Sequence, residues 1–499
     1  MEAIVFENQI ILYWERHSLF KEGMLYQLTV DEKVFFTCKT HFKLMNLVPE
    51  NNYEIELSLI DSNNNTVEIL ARKKVKTKKI KEIIDVTKAP YCIMGDGKTI
   101  NTKRIQQVFD NCNENQQIYF PAGIYLTGAL NIHSNTEIYL EKGAIIQGTT
   151  EVEDYQPKRW SRFEGIEMMC YSSLLNMGQM DHLSGYNCHD VIIRGEGAIS
   201  GGGNQLRENI IALEFVLLKD YMTSLGASIN ECEKADTIPG RVRPRLINIS
   251  NSENIVISGI KIQNGPSWNV HMIYSNNIIT CGCAFYSKGI NNGDGWDPDS
   301  STNCTIFDCD FYTGDDAVAI KSGKNPEGNL INRPCKYIEI FDCRIHSGCG
   351  IAMGSEMSGG IENVSIWDCQ MENSLYGIEI KATKKRGGYV RNVKVFNCIV
   401  PRIMAHSVKY NDDGITSGVI PKFEDFHFED ITIKRSKIVD YPHKLIELCG
   451  FDNEDYALQN VLLKNINMYS LEKDEEDVID IAYSKDVILD NVTLNKIVD

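Results

Sequence analysis

From Asn254 onward, short runs of alternating aliphatic and polar residues return along the chain. They are NIVISGIKI from Asn254, NIITCGCAF from Asn277, NCTIFDCDF from Asn303, YIEIFDCRI from Tyr337, NVSIWDCQM from Asn363 and NVKVFNCIV from Asn392. Later copies are DFHFEDITI from Asp425, NVLLKNINM from Asn460 and DVILDNVTL from Asp486. A period of two within each run predicts short strands. Five copies carry a cysteine at the seventh place, Cys283, Cys309, Cys343, Cys369 and Cys398, in steps of 26, 34, 26 and 29 residues. A wandering period in this range excludes a heptad and predicts a stacked solenoid, each coil burying its inner face against the next. Parallel crossovers take one hand, so the expected form is a right-handed parallel β-helix. The five cysteines then share one rung and read as small buried hydrophobes. A metal or disulfide site is the poorer reading, because their spacing is that of the coil and not of C-x-x-C pairs.

Two segments have helical periodicity instead. In KRIQQVFDNC (103–112), Ile105, Val108 and Phe109 fall on one face, as expected of a helix capping the open first coil. ENIIALEFVLLKDYMTSLG (208–226) carries Glu214, Lys219 and Asp220, which argues against a membrane span and predicts an insertion near the mouth of the groove. The first eighty or so residues break the pattern. IILYWERH, MLYQLTV, KVFFTCKTHFKLMNL and YEIELSLID alternate with turn residues, as in a small antiparallel β-sandwich. The expected class is thus all-β, with a sandwich over 1–84 and a parallel β-helix over 85–499. LVPENNY (47–53) with Trp14 resembles a fibronectin type III module, whose tyrosine corner would use Tyr53. The basic run ARKKVKTKKIKE (71–82) is assigned to the last strand and linker.

The candidate chemistry lies in GDD (314–316) and, upstream, NGDGWDPDS (292–300). Asp315 and Asp316, brought near Asp294, repel one another, and unequal ionisation of such groups is how one site holds both an acid and a base. On the local string alone, a solvated acidic loop or a calcium-binding turn explains these residues as well. The repeat adds a constraint. Asp315 follows Cys309 by six residues and Cys349 follows Cys343 by six, so the two occupy equivalent points on neighbouring coils, roughly 5 Å apart.

NGDGWDPDSSTN, TGDDAVAIKSG, GCGIAMGSEMSGGIENV and YGIEIKATKKRGGYVRNV, in that order, resemble the four motifs of glycoside hydrolase family 28, the polygalacturonases and their relatives. GDGKTINTKRIQQVFDNC, IYFPAGIYLTGAL, RFEGIE and PSWNVHMIYSNN resemble its exo-acting bacterial branch, and the match runs over roughly 85–499. The resemblance implies an inverting hydrolase in which Asp315 protonates the glycosidic oxygen while Asp294 and Asp316 activate the attacking water. Two departures stand out. Cys349 replaces the family histidine of G-H-G, and Glu379 replaces the arginine of R-I-K, whose lysine is retained as Lys381. A guanidinium suits a uronate carboxylate and Glu379 repels one. Either Lys384, Lys385 or Arg386 supplies the missing cation, or the sugar at that subsite is neutral, as in rhamnogalacturonan fragments.

Further substrate-binding candidates are Lys321 and His271, the latter equally explained as a structural histidine. His346 is a candidate stand-in for the missing histidine, and Arg162, Glu164 and Glu167 are either sugar contacts or a salt-bridged turn. The chain's formal charge of −17 disfavours nucleic acid and long polyuronate, so the expected partner is a short uronate-containing, pectin-derived oligosaccharide. No cofactor and no metal are expected. MEAIVFENQIILYWERH lacks a basic start and a cleavage site, and sixteen cysteines suit a reducing compartment, so a cytoplasmic location is expected. A calcium-dependent lyase on the same solenoid and an inactive carbohydrate-binding solenoid are the competing classes. Oligomeric state is left open.

Overall fold

The computed structural model describes residues 1–226, 237–409, 414–434, 444–470 and 478–496. The chain divides into two compact units, Met1–Glu82 and Ile83–Asp499. The first holds a three-stranded sheet in the order Glu2–Val5, Ile10–Tyr13, His41–Leu44, and a four-stranded sheet in the order Lys33–Thr37, Leu25–Val30, Asn52–Ile60, Thr66–Lys76. All pairings are antiparallel. Ile10, Leu12, Trp14, Tyr26, Leu28, Leu57 and Leu59 form its core. The Tyr53 hydroxyl accepts a 2.8 Å bond from the Val48 amide. The basic run is neutralised in place, with Arg72, Lys73 and Lys74 on Glu56, Glu2 and Glu54.

The second unit is a parallel β-helix built on three long sheets of seven, eleven and fourteen strands. The repeats from Asn254 onward are in register throughout. Ile255 pairs with Ile278, and the row continues through Cys304, Ile338, Val364, Val393, Phe426, Val461 and Val487. The polar first place has a conformational cause. Asn254, Asn277, Asn303, Tyr337, Asn363, Asn392, Asp425, Asn460 and Asp486 all lie in the left-handed region, with φ between 52° and 63°. Asn and Asp tolerate that region better than other side chains. Their side chains also bond between coils, as in Asn277 to Asn254 at 2.8 Å.

The second, fourth and seventh places fill the interior, and the fifth forms a separate stack. Phe307, Phe341, Trp367 and Phe396 stack at centroid spacings of 4.8, 4.3 and 5.7 Å, each contact adding about 0.5–1.5 kcal/mol beyond its buried area. Cys283, Cys309, Cys343, Cys369 and Cys398 are buried free thiols, each donating to backbone carbonyls of its own coil.

Helix α1 (Thr102–Asn111) sends Ile105, Val108 and Phe109 into the same core. Helix α2 (Gly203–Leu217) buries Leu206 and Ile210. Among the described residues no helix is long and apolar enough to cross a membrane. Six consecutive strands of the eleven-stranded sheet carry the site: β1 (Val270–Ile273), β2 (Trp296–Asp299), β3 (Val318–Ile320), β4 (Gly350–Met353), β5 (Gly377–Ala382) and β6 (Ile403–Ser407).

Candidate active site

Residues on one face of these strands point away from the core, and because strands pair without offset, sequence-distant polar groups are stacked one coil apart. Trp296 of β2 pairs with Val318 of β3, which sets Asp294 level with Asp316, each two residues before its strand partner. Asp294, Asp315 and Asp316 line one cleft of about 300 Å³. The same cleft receives Arg207 and Ile211 from α2, Glu164, Arg241, Arg243, Trp268, Lys321, Lys324, Glu356, Lys381 and Arg386.

Lys321, one residue beyond β3, is the electrostatic pivot. Its ammonium lies 3.2 Å from Asp294, 3.5 Å from Glu356 and 4.2 Å from the centre of the Trp268 ring. Burial opposes its charge, but Glu356, Asp294 and Asp297 together hold the lysine protonated well above its ordinary range. The acids respond in the opposite sense. Burial first, then Asp297, pushes Asp294 well above the usual carboxylate range against the pull of Lys321. Asp294 Oδ1 is buried without a hydrogen-bond partner. Burial also raises Asp316 to about 7, with Lys381 opposing and Asp315 and Glu379 adding to the rise.

Asp297 of β2 is fully buried, both of its carboxyl oxygens lack partners, and burial raises its proton affinity strongly. A carboxyl in that position is stable only when protonated. The cluster thus binds protons more tightly than free carboxyl groups do, as acid–base catalysis on a sugar bond near neutral pH requires.

Asp315 accepts the Asp316 amide at 3.0 Å and lies 3.6 Å from the Cys349 sulfur, while the Cys349 amide bonds the Asp315 carbonyl at 2.9 Å. Cys349 therefore sits beside Asp315 on the next coil. Asp315, Asp316 and Cys349 bring three ligand-type atoms within 4.8 Å of one another. Lys381 already stands 3.8 Å from Asp316, and burial together with Asp316 and Asp315 keeps the Cys349 thiol protonated. The group is better matched to a polar substrate than to a cation.

Cations concentrate on another part of the wall. Arg241 pairs with Glu164 at 3.0 Å. Arg386 is held by Asn325 at 2.6 Å and by the Ser355 carbonyl at 2.9 Å. Burial, then Arg386 and Arg241, brings the Lys324 ammonium down to about 8. Burial is the larger cause, and the two arginines beside the lysine make this part of the wall suited to an anion.

Three sequence expectations are corrected. His271 of β1 is wholly buried, bonded to Asp299 at 3.2 Å and set edge-on to Trp268 at 4.9 Å. Burial lowers it to about 4, so it is a neutral structural histidine that no sugar in the cleft reaches. Glu379 of β5 is 6% exposed and faces Lys381 at 2.6 Å and His406 at 3.0 Å. Burial opposes its charge, but those two cations hold it at about 2. Two cations offset its charge within the sheet, so the repulsion of a substrate carboxylate expected from its sequence position is weakened. His346 stacks on Tyr312 at 4.4 Å and bonds Asp310 at 2.8 Å, which commits it outside the cleft and leaves Cys349 unsubstituted.

In the RFEGIE turn the two readings divide. Glu164 lines the cleft, whereas Arg162 and Glu167 belong to a buried network with Asp299 and Tyr274. Arg386 is the member of the 384–386 group that reaches the cleft wall. Arg207, Arg241, Arg243, Lys324 and Glu356 went unmarked in the sequence. GRVRPR around Arg241 and Arg243 was a local signal, three arginines within six residues of an otherwise acidic chain.

Residues 113–434 match the profile of the glycosyl hydrolases family 28. The chain belongs to that family. Over 315 residues it is 33% identical to a probable polygalacturonase of Vitis vinifera, a span of 60% of this chain and 58% of the relative. It is 23% identical over 414 residues to an exo-poly-alpha-D-galacturonosidase of Dickeya chrysanthemi, 79% of this chain and 68% of that one. The chain thus spans under two thirds of the Vitis relative. Its fold is similar to that of a family 28 exopolygalacturonase from Yersinia enterocolitica, with a TM-score of 0.82, 21% identity and coverage of 99% of this chain and 97% of that one. An exopolygalacturonase from Thermotoga maritima gives a TM-score of 0.64 at 24% identity, covering 82% and 92%.

Proposed function

We propose that the chain is an inverting glycoside hydrolase that removes galacturonate from short, pectin-derived oligogalacturonides by exo attack. The observation that carries the reading is one cleft with two chemically distinct walls: Asp294, Asp315 and Asp316 on one, Arg241, Lys324 and Arg386 on the other. The cationic wall takes the uronate carboxylate, Arg386 as a planar fork already fixed by Asn325 and Ser355. The acidic wall does the bond chemistry. Asp315 gives a proton to the glycosidic oxygen, and Asp294 with Asp316 takes one from the attacking water. A cavity of about 300 Å³ is at the small end for ligand sites, and α2 contributes Arg207 and Ile211 to its wall, which supports action at a chain end.

A neutral sugar at the catalytic subsite, as in rhamnogalacturonan, loses support because Lys381 and His406 offset the charge of Glu379. The deciding experiment is product analysis on digalacturonate, longer oligogalacturonides and rhamnogalacturonan fragments, with Asp315→Asn as control. Release of saturated monogalacturonate, unaffected by chelator and abolished in Asp315→Asn, is expected. Unsaturated product, or wild-type turnover in the variant, refutes the assignment. We further propose that residues 1–84 are a fibronectin type III-like module, supported by the two antiparallel sheets within Met1–Glu82 and the Tyr53 to Val48 bond. A cytoplasmic location is proposed on the ground that every described cysteine is a free thiol.

A further inference from the structure

Lys381 has two carboxylates to choose between. Its ammonium is 2.6 Å from Glu379 and 3.8 Å from Asp316, so the acid that does no chemistry in the reading above holds it more closely than the acid that does. Glu379 is in turn fixed from the next two coils. Lys381 pairs in register with His406 and Met404 with Glu447. The His406 ring bridges Glu379 at 3.0 Å and Glu447 at 2.9 Å, and Arg402 meets Glu447 at 3.2 Å. Burial works against charge on His406, but the two carboxylates raise it to about 9, so at neutral pH both ring nitrogens donate. The result is a relay of alternating charge, Arg402, Glu447, His406, Glu379, Lys381, that ends at Asp316.

We infer that Glu379 is a positioning residue: anchored by His406 and Glu447, it holds the Lys381 ammonium on the wall of the cleft and away from Asp316. This rests on the assignment of Asp316 to the acid–base set. The glutamate replaces a cation that the family motif carries at this position, and its effect is exerted through the lysine. With the ammonium drawn aside, Asp316 keeps a high proton affinity and Lys381 stays directed at an anionic group of the sugar. Without Glu379, Lys381 still has Asp316 beside it at 3.8 Å. Two influences then change in the same direction, since the lysine approaches Asp316 and the repulsion from Glu379 is gone.

The groups facing Asp316 and Lys381 are Asp315, Asp294, Asp297, Lys321 and the Cys349 thiol. Behind Glu379 stand His406, Glu447 and Arg402. All of these are the same in the proteins compared, so a difference reports Glu379.

The test is the pH profile of kcat/KM on digalacturonate for wild type, Glu379→Gln and Glu379→Asp. Glu379→Gln is expected to move the limb belonging to Asp316 to lower pH by about one unit or more, the effect of an opposite charge drawn close. KM should rise at the same time, and Glu379→Asp should restore most of the wild-type profile. An unmoved limb, or one moved to higher pH, overturns the inference. Should Glu379→Gln not fold, Glu379→Met removes the same charge without leaving an amide to be satisfied and is expected to shift the limb in the same direction; no shift there overturns the inference equally. The carboxyl infrared titration of Asp316, assigned by difference from Asp316→Asn, reads the same displacement without substrate. If wild type releases no galacturonate, the functional reading fails, while the infrared shift still decides the role of Glu379.

Discussion

Replacing Lys321 by methionine keeps an unbranched apolar side chain and removes the ammonium that lies over the Trp268 ring, 3.2 Å from Asp294 and 3.5 Å from Glu356. Lys321 is 4% exposed, so water cannot take its place. Deleting one member of a buried ion pair costs about 3–5 kcal/mol, because the remaining charge is left uncompensated. The loss must depend on pH. Lys321 is the cation that opposes the upward shifts of both Asp294 and Asp297, so without it their folded-state proton affinities rise further above the unfolded value. A carboxyl with a raised folded-state pKa is protonated in both states at low pH and costs nothing there; its penalty grows as pH rises above the unfolded pKa. Each proton retained adds about 1.4 kcal/mol per pH unit. Over the pH range in which the variant keeps a proton that the wild type has released, the destabilisation of Lys321→Met should thus grow by that amount per unit. Urea unfolding followed through the solenoid's buried tryptophans, Trp268, Trp296 and Trp367, measures it. Turnover at pH 7 should fall by about 10²-fold or more, since Asp294 is then locked in its protonated form. Equal destabilisation at pH 5 and pH 7 would refute the charge argument, and wild-type stability at pH 7 would refute the ion pair itself.

Glu379→Arg, which restores the family residue, is expected to impair the protein, because the new guanidinium meets Lys381 and His406 in a buried setting; thermal unfolding should show a loss of about 3 kcal/mol or more, and improved turnover of galacturonate would contradict this. Lys324→Met should raise KM for digalacturonate about tenfold with little change in kcat, as expected where one charge-assisted contact to an anion is lost. In the wild type, KM should climb as pH passes about 8, where Lys324 gives up its proton. Cys309→Ser places a hydroxyl in the middle of the buried thiol row and should destabilise by about 1–3 kcal/mol in urea unfolding, whereas Cys309→Ala, which leaves only a small gap, should cost less.

The solenoid was legible because one physical requirement is imposed on every coil. A residue at the second place of NIITCGCAF or NVSIWDCQM is sealed between the coils above and below, so each copy must be apolar there, and Ile278 and Val364 fall in one register row. The repeat likewise set Asp315 beside Cys349 on neighbouring coils. The three aspartates stood out by their grouping, since like charges have no purpose in a packed coil, but that Asp294 lies level with Asp316 comes from the pairing of Trp296 with Val318. The cationic wall was not legible in this way. Arg241, Lys324 and Arg386 sit on segments between strands, where coil length varies and no repeat constrains position. Their meeting in one cleft is a property of loop geometry.

Glu379 and His271 show where reading charge from a sequence fails in physical terms. An acid in a motif that otherwise carries arginine reads as a change of sign at the subsite, but electrostatic effect is set by the nearest counter-charges. Here His406 and Lys381 lie within 3.0 Å of the carboxylate, one supplied by the following coil and the other two residues along the same strand. Residues two apart on a strand share a face, so the Glu379 to Lys381 pairing was derivable from the string alone. The His406 bridge was not, because the step from β5 to β6 is set by the intervening coil. His271 fails the other way. It lies in the same strand register as the acids, with His271 paired to Asp297, but Trp268 and Asp299 close over it. Register therefore places a residue on a face of the sheet, and the depth of the surrounding side chains decides whether a substrate meets it.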